Sequence, residues 1–362
     1  MSTMVLGGGY AGVMAANRLA SNGETVTLVT PSPWFVERIR LHAVAAGLRG
    51  DARVPLAALV DARVAVMDDR AVRIADDGVL LASGERLDFE TLVYAVGSGG
   101  PGDGRAHHVA TLDGARRLRA ALVERPDAAV TVVGAGLTGI ELAAALRVAG
   151  RTVRLVTATV PDGRATRTHL LELERLGVRV ETGRTVDVDG LVDDGRDIVV
   201  AATGFTASSL AADSDLPTDA HGRLVVDEHL TVPGAPRILG AGDGVHVLGR
   251  YAAHLRPACA TAMPLGAHAA DVVRARRDGV RPAPFTLGYV ARCVDLGGGR
   301  GHVQLVRGDD SERRVAVTGR AGGLVKEGIC RMTLRWLAAA QRYSWSGRVR
   351  PVRAVEPVPS AQ

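Results

Sequence analysis

Two short glycine runs are the positions in this chain best suited to chemistry. Gly7-Gly8-Gly9-Tyr10-Ala11-Gly12 follows the apolar segment Met4 to Leu6, and Gly134-Ala135-Gly136-Leu137-Thr138-Gly139 follows Val130 to Val133. In such a hexad the first glycine permits a tight turn, the second lets the backbone approach a pyrophosphate, and the third lets helix and strand pack closely. The helix that follows turns free N–H groups and a positive dipole end towards the phosphates. A single hexad is weak evidence, because a plain βα turn looks the same. Two of them, each between an apolar strand and a helix, point to two dinucleotide sites.

A carboxylate about 20 residues after the glycines usually takes the ribose hydroxyls. Here Thr30 lies 21 residues after Gly9, and Thr157 lies 21 after Gly136. Threonine offers one neutral contact where a carboxylate accepts two stronger ones. At the second site the missing charge also removes the repulsion against a 2′-phosphate, so NADH and NADPH both stay open and weak discrimination is expected. A degenerate second site that binds nothing is the plainer alternative.

Two ionisable side chains stand out. Glu141 sits in the first turn of the second helix, where the dipole favours an acid in any case. Lys326 is the sole lysine beside 43 arginines, a compact, titratable ammonium in a chain that otherwise uses guanidinium; chance retention explains it equally well. Cys259, Cys293 and Cys330 are odd in number and 34 and 37 residues apart, which gives neither a disulfide framework nor a metal site. They read as small, neutral residues.

The elements that must hold these residues repeat. Strand Met4 to Leu6, a helix through Leu19 and strand Thr25 to Val29 form one βαβ half; Val130 to Val133, a helix to about Val148 and strand Thr152 to Val156 form a second. Residues 63 to 96 alternate in polarity like an antiparallel meander ending in the strand Thr91 to Val96, and Asp197 to Ala202 closes the second unit in the same way. A strand from Arg237 leads into Gly240-Ala241-Gly242-Asp243, and a helix follows from about Thr261 to Arg277. After a linker at Arg281 to Pro284 come short strands at Tyr289 to Asp295, His302 to Val306 and Arg314 to Thr318. A helix from about Leu324 to Gln341 follows, with Val325, Ile329, Met332 and Trp336 on one face and Arg331, Arg335 and Arg342 on another. That pattern suits a core-packing helix better than one lying on a membrane. The tail after Ser346 is expected to be disordered.

Composition sets the outer bounds. A length of 362 residues allows two or three domains. The 44 glycines are an excess that fits the turns just described. The net charge of +5 comes from bases interleaved with acids, and 4 Phe, 3 Trp and 5 Tyr are too few for a base-stacking surface, so nucleic acid is not an expected partner. No window of 18 consecutive apolar residues offers a membrane span, and the N-terminus enters an apolar strand at Met4 without a charged region or cleavage site, so no export signal is expected. A cytoplasmic protein is expected, with peripheral membrane contact through the last helix as the variant.

With these motifs the chain resembles the two-dinucleotide-domain flavoprotein reductases of the pyridine nucleotide-disulfide oxidoreductase superfamily. The nearest group is the type II NADH dehydrogenases and apoptosis-inducing-factor-like quinone reductases, over about residues 3 to 340. Leu92-Val93-Tyr94-Ala95-Val96-Gly97-Ser98, Val199-Val200-Ala201-Ala202-Thr203-Gly204 and Gly240-Ala241-Gly242-Asp243 look like the family's further motifs. The implied fold is α/β: two Rossmann-type domains, glutathione-reductase-like, with a small C-terminal α+β domain. The implied limits are 1–110 with 225–280 for FAD, 111–224 for NAD(P)H, 281–345 for the C-terminal domain and 346–362 for a tail. The resemblance puts Gly7, Gly9, Tyr10, Ala11, Gly12, Thr30, Arg40, Ala71, Ala95, Gly97 and Asp243 on FAD. It puts Gly134, Gly136, Leu137, Thr138, Gly139, Thr157 and Gly204 on NADH or NADPH. It brings Glu141, in a run like the family's Thr-Gly-Val-Glu, and Lys326 close to the flavin.

The implied activity is hydride transfer from NAD(P)H to FAD and onward to a quinone or similar small acceptor, because the cysteine pair that disulfide reductases need is missing from the sequence. Two alternatives are a biosynthetic flavoenzyme that oxidises a metabolite directly and a non-catalytic flavoprotein that senses NAD(P)H.

Overall fold

The computed structural model describes residues 2–100 and 104–347; the expected disordered tail lies, from residue 348 on, outside the described residues. Along the chain run β1 (Ser2–Leu6), α1 (Tyr10–Ser21), β2 (Thr25–Thr30), the short α2 (Leu41–Ala45), β3 (Ala65–Asp68), β4 (Ala71–Ile74), β5 (Gly78–Leu81), β6 (Arg86–Asp88) and β7 (Thr91–Tyr94). After α3 (Leu112–Glu124) come β8 (Val130–Val133), α4 (Leu137–Val148), β9 (Val153–Thr157), α5 (Arg164–Arg175), β10 (Arg179–Thr182) and β11 (Ile198–Ala201). The chain then gives β12 (Thr231–Val232), β13 (Ala235–Gly240), α6 (Cys259–Arg277), β14 (Ala291–Asp295), β15 (Gly301–Val306), β16 (Glu312–Thr318) and α7 (Gly319–Ala338).

The first sheet has the order β12-β13-β7-β1-β2-β3, parallel except for β12. Its central strands β1 and β7 are buried along nearly their whole length, as expected of strands covered on both faces. The second sheet has the order β10-β9-β8-β11, all parallel, with β8 between its two crossovers. Both glycine turns therefore leave a central strand at the carboxyl edge, where connections diverge to either side and leave a crevice. A Cβ on Gly12 would fall 1.8 Å from the Gly7 carbonyl oxygen, and one on Gly139 would fall 2.0 Å from that of Gly134. These two glycines let each helix sit directly on its own turn.

Three expectations need correction. The stretch from 63 to 96 is not one meander: β3 pairs in parallel with β2, Thr27 beside Ala65, and only β4, β5 and β6 form an antiparallel sheet. Helix α7 starts at Gly319, earlier than its composition suggests. Its Gly322 and Gly323 lie where a Cβ would meet the Gly301 and Gly299 carbonyl oxygens at 2.3 and 2.2 Å, so a glycine-rich first turn is what lets the helix cross the β14–β15 connection. The helix does pack, but it buries Gly322, Cys330, Thr333 and Leu337, while Leu324, Val325 and Met332 are exposed. The apolar stripe read from the sequence is thus not the buried one. Among the described residues no helix is long and apolar enough to cross a membrane.

Candidate functional site

The carboxyl edge of the first sheet, the start of α4, the N-terminus of α6 and one face of α7 enclose a cavity of about 790 Å³. Its wall contains Gly7, Gly9, Tyr10, Ala11, Thr30, Ala95, Gly97, Leu137, Thr138, Glu141, Asp243 and Lys326, which sequence reasoning had scattered over 320 positions. Gly12 lies just behind the first turn. Gly134, Gly136, Gly139, Thr157 and Gly204 stand outside the wall, at or just past the carboxyl ends of β8, β9 and β11.

Two residues on the expected list point elsewhere. Ala71 is on β4, opposite Leu81, away from the cavity. Arg40 binds Glu327 of α7 at 2.6 and 3.1 Å and Glu37 at 3.2 Å, an anchor between segments. Arg38 lines the cavity in its place. Residues 38–40 form a single 3-10 turn, so positions two apart face away from each other. Arg38 donates to the Ser98 carbonyl at 2.9 Å and lies over the Phe205 ring at 5.4 Å. Burial lowers its pKa, against the pull of Asp243.

Whether these residues fit a flavin nucleotide can be tested on the glycines. Gly7 has φ +103° and Gly12 has no room for a Cβ, so the fold itself demands both. Gly9 has φ −87° and nothing within 4 Å of a Cβ, and Gly136 has φ −67° and the same open space. Among the described residues no atom requires glycine at either place, whereas a pyrophosphate drawn close to the backbone would. Asp243 accepts the Ala258 N–H at 3.1 Å through Oδ1, and burial raises its carboxyl above the ordinary carboxylate value. It suits hydroxyl donors such as those of a ribityl chain. The residues fit FAD.

Deeper in, Glu141 is the hub. Lys326 Nζ donates to its Oε1 at 2.5 Å, and the Asp295 N–H donates to the same oxygen at 2.9 Å. Burial opposes the charge on Lys326, but Glu141 outweighs it and the ammonium titrates above its ordinary value. Lys326 Nζ also reaches the Cys293 carbonyl at 3.3 Å. His42, which the sequence motifs do not single out, lies on α2 with Nδ1 3.6 Å from Glu141 Oε2 and Nε2 3.5 Å from Asp295 Oδ2. Burial works against the Asp295 charge, yet His42 and the Gly297 N–H hold its carboxyl below the usual range. No local signal marks His42 or Asp295, since their relevance comes only from packing against α4.

The remaining wall is apolar and aromatic. Ile329 and Trp336 of α7 face it, and the chain after α7 returns Tyr343 and Trp345 across it, with Trp345 Nε1 donating to the Thr286 carbonyl at 2.8 Å. Trp336 and Tyr343 are 5.8 Å apart between ring centroids, and Tyr343 and Trp345 are 6.2 Å apart and stacked. All three cysteines also line the cavity, which their sequence spacing did not suggest. Burial pushes the Cys259 thiol up to about 11 and raises Cys293 and Cys330 as well.

Among solved structures, the fold is similar to the sulfide:quinone oxidoreductase of Aquifex aeolicus, with a TM-score of 0.77, 15% identity, and 94% of this chain and 92% of that one covered. It is also similar to NDH2 of Plasmodium falciparum, solved with NADH, with a TM-score of 0.75, 13% identity, and 94% and 98% covered. At these identities the likeness is one of fold. In sequence, NADH dehydrogenase-like protein YutJ of Bacillus subtilis is 26% identical over 268 residues, 66% of this chain and 75% of that protein. The sequence profile of the pyridine nucleotide-disulphide oxidoreductases matches residues 1–264. Joined to two Rossmann sheets whose glycine turns fit FAD and NADH or NADPH, that match makes the chain a member of the pyridine nucleotide-disulphide oxidoreductase family, an NAD(P)H-dependent flavin oxidoreductase.

Proposed function

We propose that the protein passes hydride from NADH or NADPH to FAD and the electrons onward to a quinone or a similar small acceptor. The observation that carries this reading is the Glu141–Lys326 ion pair, open to a large aromatic-walled cavity between the two glycine turns. FAD, when bound, supplies a two-electron centre that takes hydride from nicotinamide and yields electrons to an acceptor. The protein contributes position and charge. Gly7 to Ala11 and the α1 N-terminus would hold the pyrophosphate, and Asp243 the ribityl hydroxyls. Leu137 and Thr138 would guide the nicotinamide end towards the same cavity.

Reduction of a quinone by NAD(P)H takes up one proton from solvent beyond the hydride. Lys326 Nζ holds a proton against Glu141 Oε1 at the cavity wall, and the pair connects through His42 to Asp295, whose side chain is 39% exposed. Water bridging the two gaps beside His42 would give a proton a way in along this row of groups. The aromatic wall of Trp336, Tyr343 and Trp345 suits a planar ring. Burial raises all three thiols above their ordinary value, which makes them poor thiolate nucleophiles, and the proposed transfer assigns them no step. The relative named as NADH dehydrogenase-like favours the same donor class.

Anaerobic mixing of the purified protein with NADH or NADPH should bleach the flavin absorption, and a soluble benzoquinone should restore it with turnover. Bleaching without reoxidation by quinone would remove the acceptor assignment. No bleaching with either nucleotide would favour direct metabolite oxidation.

A further inference from the structure

Which nicotinamide dinucleotide is used depends on the carboxyl edge of the second sheet. Rossmann folds that prefer NADH end the second strand on a carboxylate, which grips the ribose diol and repels a 2′-phosphate. Here β9 ends on Thr157, whose side chain is committed elsewhere: it is buried, and Oγ1 donates to the Thr159 carbonyl at 2.6 Å. The Thr157 hydroxyl proton is thus taken, and the neutral side chain has no charge with which to repel a phosphate. Its carbonyl accepts the Arg184 N–H at 3.1 Å, which brings the residue just past β10 alongside the end of β9.

The Arg184 guanidinium is 60% exposed and lies 2.8 Å from Glu181 Oε2. That carboxylate is shared, with Arg179 at 2.9 Å and Arg154 at 3.9 Å, and Arg154 also pairs with Asp197 at 3.3 Å. Three guanidiniums thus meet two carboxylates, leaving one positive charge in excess. Asp162 in the loop after β9 and Arg164 at the start of α5 carry opposite charges and add no net charge there. Arg184 can swing to a ligand without stranding Glu181, because Arg179 stays on it.

We infer that Arg184 binds a 2′-phosphate and makes the protein selective for NADPH, an inference that rests on reading the second glycine turn as the nicotinamide dinucleotide site. A guanidinium that offers two parallel N–H donors to a phosphate dianion gains more than it loses by leaving a shared carboxylate. The weak discrimination expected from the sequence becomes a preference, because the tertiary structure adds a cation where the sequence showed only a missing anion.

The test uses the flavin-loaded protein and two fragments without nicotinamide, 2′,5′-ADP and 5′-AMP, titrated by calorimetry at fixed salt. The native protein should bind 2′,5′-ADP about tenfold or more tightly than 5′-AMP. Arg184→Gln should bring the two within about threefold by weakening 2′,5′-ADP alone, while Arg184→Lys keeps part of the preference. The rate of flavin bleaching by NADPH against NADH should follow the same order. Equal binding of both fragments by the native protein, or an unchanged ratio in a folded, flavin-loaded Arg184→Gln, overturns the inference and leaves the dinucleotide site standing. If neither fragment binds while the flavin is retained, the reading of the second turn falls with it.

Discussion

At the scale of single residues, the glycines separate what the fold needs from what a ligand needs. Gly12 packs its turn so closely that a Cβ would lie 1.8 Å from a backbone oxygen, whereas a Cβ on Gly9 would have no described atom within 4 Å. Gly12→Ala should therefore destabilise the flavin-free protein by on the order of 3 kcal/mol through backbone overpacking. Gly9→Ala should cost about 1 kcal/mol or less, the difference between Gly and Ala at a helix N-cap, yet lose most of its FAD. Urea unfolding of the stripped proteins, set beside flavin content after purification, checks both halves. Equal destabilisation by the two changes, or full flavin retention by Gly9→Ala, would argue against a pyrophosphate at that turn. Arg38 and Arg40 teach a related lesson: one local turn sends two arginines to opposite duties, one to the cavity wall and one to Glu327.

At the scale of elements, α5 fastens the second sheet to the C-terminal one. Glu312 of β16 accepts the Arg164 and Ala165 N–H groups at 2.8 and 3.2 Å, capping the start of α5, and Arg300 meets Glu172 at 3.2 Å towards its far end. Between them His169 of α5 and His302 of β15 stack edge to face, 4.6 Å between centroids, both buried and with no hydrogen-bond partner on any ring nitrogen among the described residues. Burial and the facing His302 lower the His169 pKa from 6.5 to about 4, with Arg292 acting in the same direction and Glu141 against it. The native imidazole thus stays neutral where an unfolded one takes a proton. Stability is unaffected above about pH 6.5 and falls as the pH drops from there to about 4, by up to about 1.4 kcal/mol per unit and roughly 3 kcal/mol in all. His169→Phe keeps an aromatic ring in an apolar site and should flatten that limb. The check is the difference in unfolding free energy between native and variant proteins across pH 4 to 8; parallel curves would show that His169 is not the titrating group.

At the scale of the whole molecule, the Glu141–Lys326 pair ties the second Rossmann unit to the C-terminal helix, across 185 residues of sequence. Both side chains are nearly buried, at 11% and 14% exposed, so removing one partner strands the other charge. Glu141→Gln or Lys326→Met should each cost about 3 kcal/mol or more, and the double variant markedly less than their sum. Turnover should fall by on the order of a hundredfold in all three, because proton handling at the cavity is lost whether or not stability recovers. Stability restored together with turnover in the double variant would make the pair purely structural.

Much of this architecture could be read from the sequence because its signals are local. A buried strand, a glycine turn and the start of a helix occupy a dozen consecutive residues, and the two copies determined both Rossmann units and the carboxyl-edge position of the first turn, whereas Gly97 and Asp243 were reached only through the resemblance to the flavoprotein reductases. The conformations involved are set by neighbours in the chain, so composition and spacing suffice. What only the tertiary structure decided is what meets across long separations: Lys326 on Glu141, His42 between Glu141 and Asp295, three dispersed cysteines in one cavity wall, and Arg184 beside Thr157. The face that α7 buries belongs with these, since glycine contacts at its first turn set the rotation of the helix and hydrophobic periodicity alone cannot see them. Each such meeting depends on how whole elements dock, through close backbone approaches and buried charge, and no run of neighbouring residues encodes that.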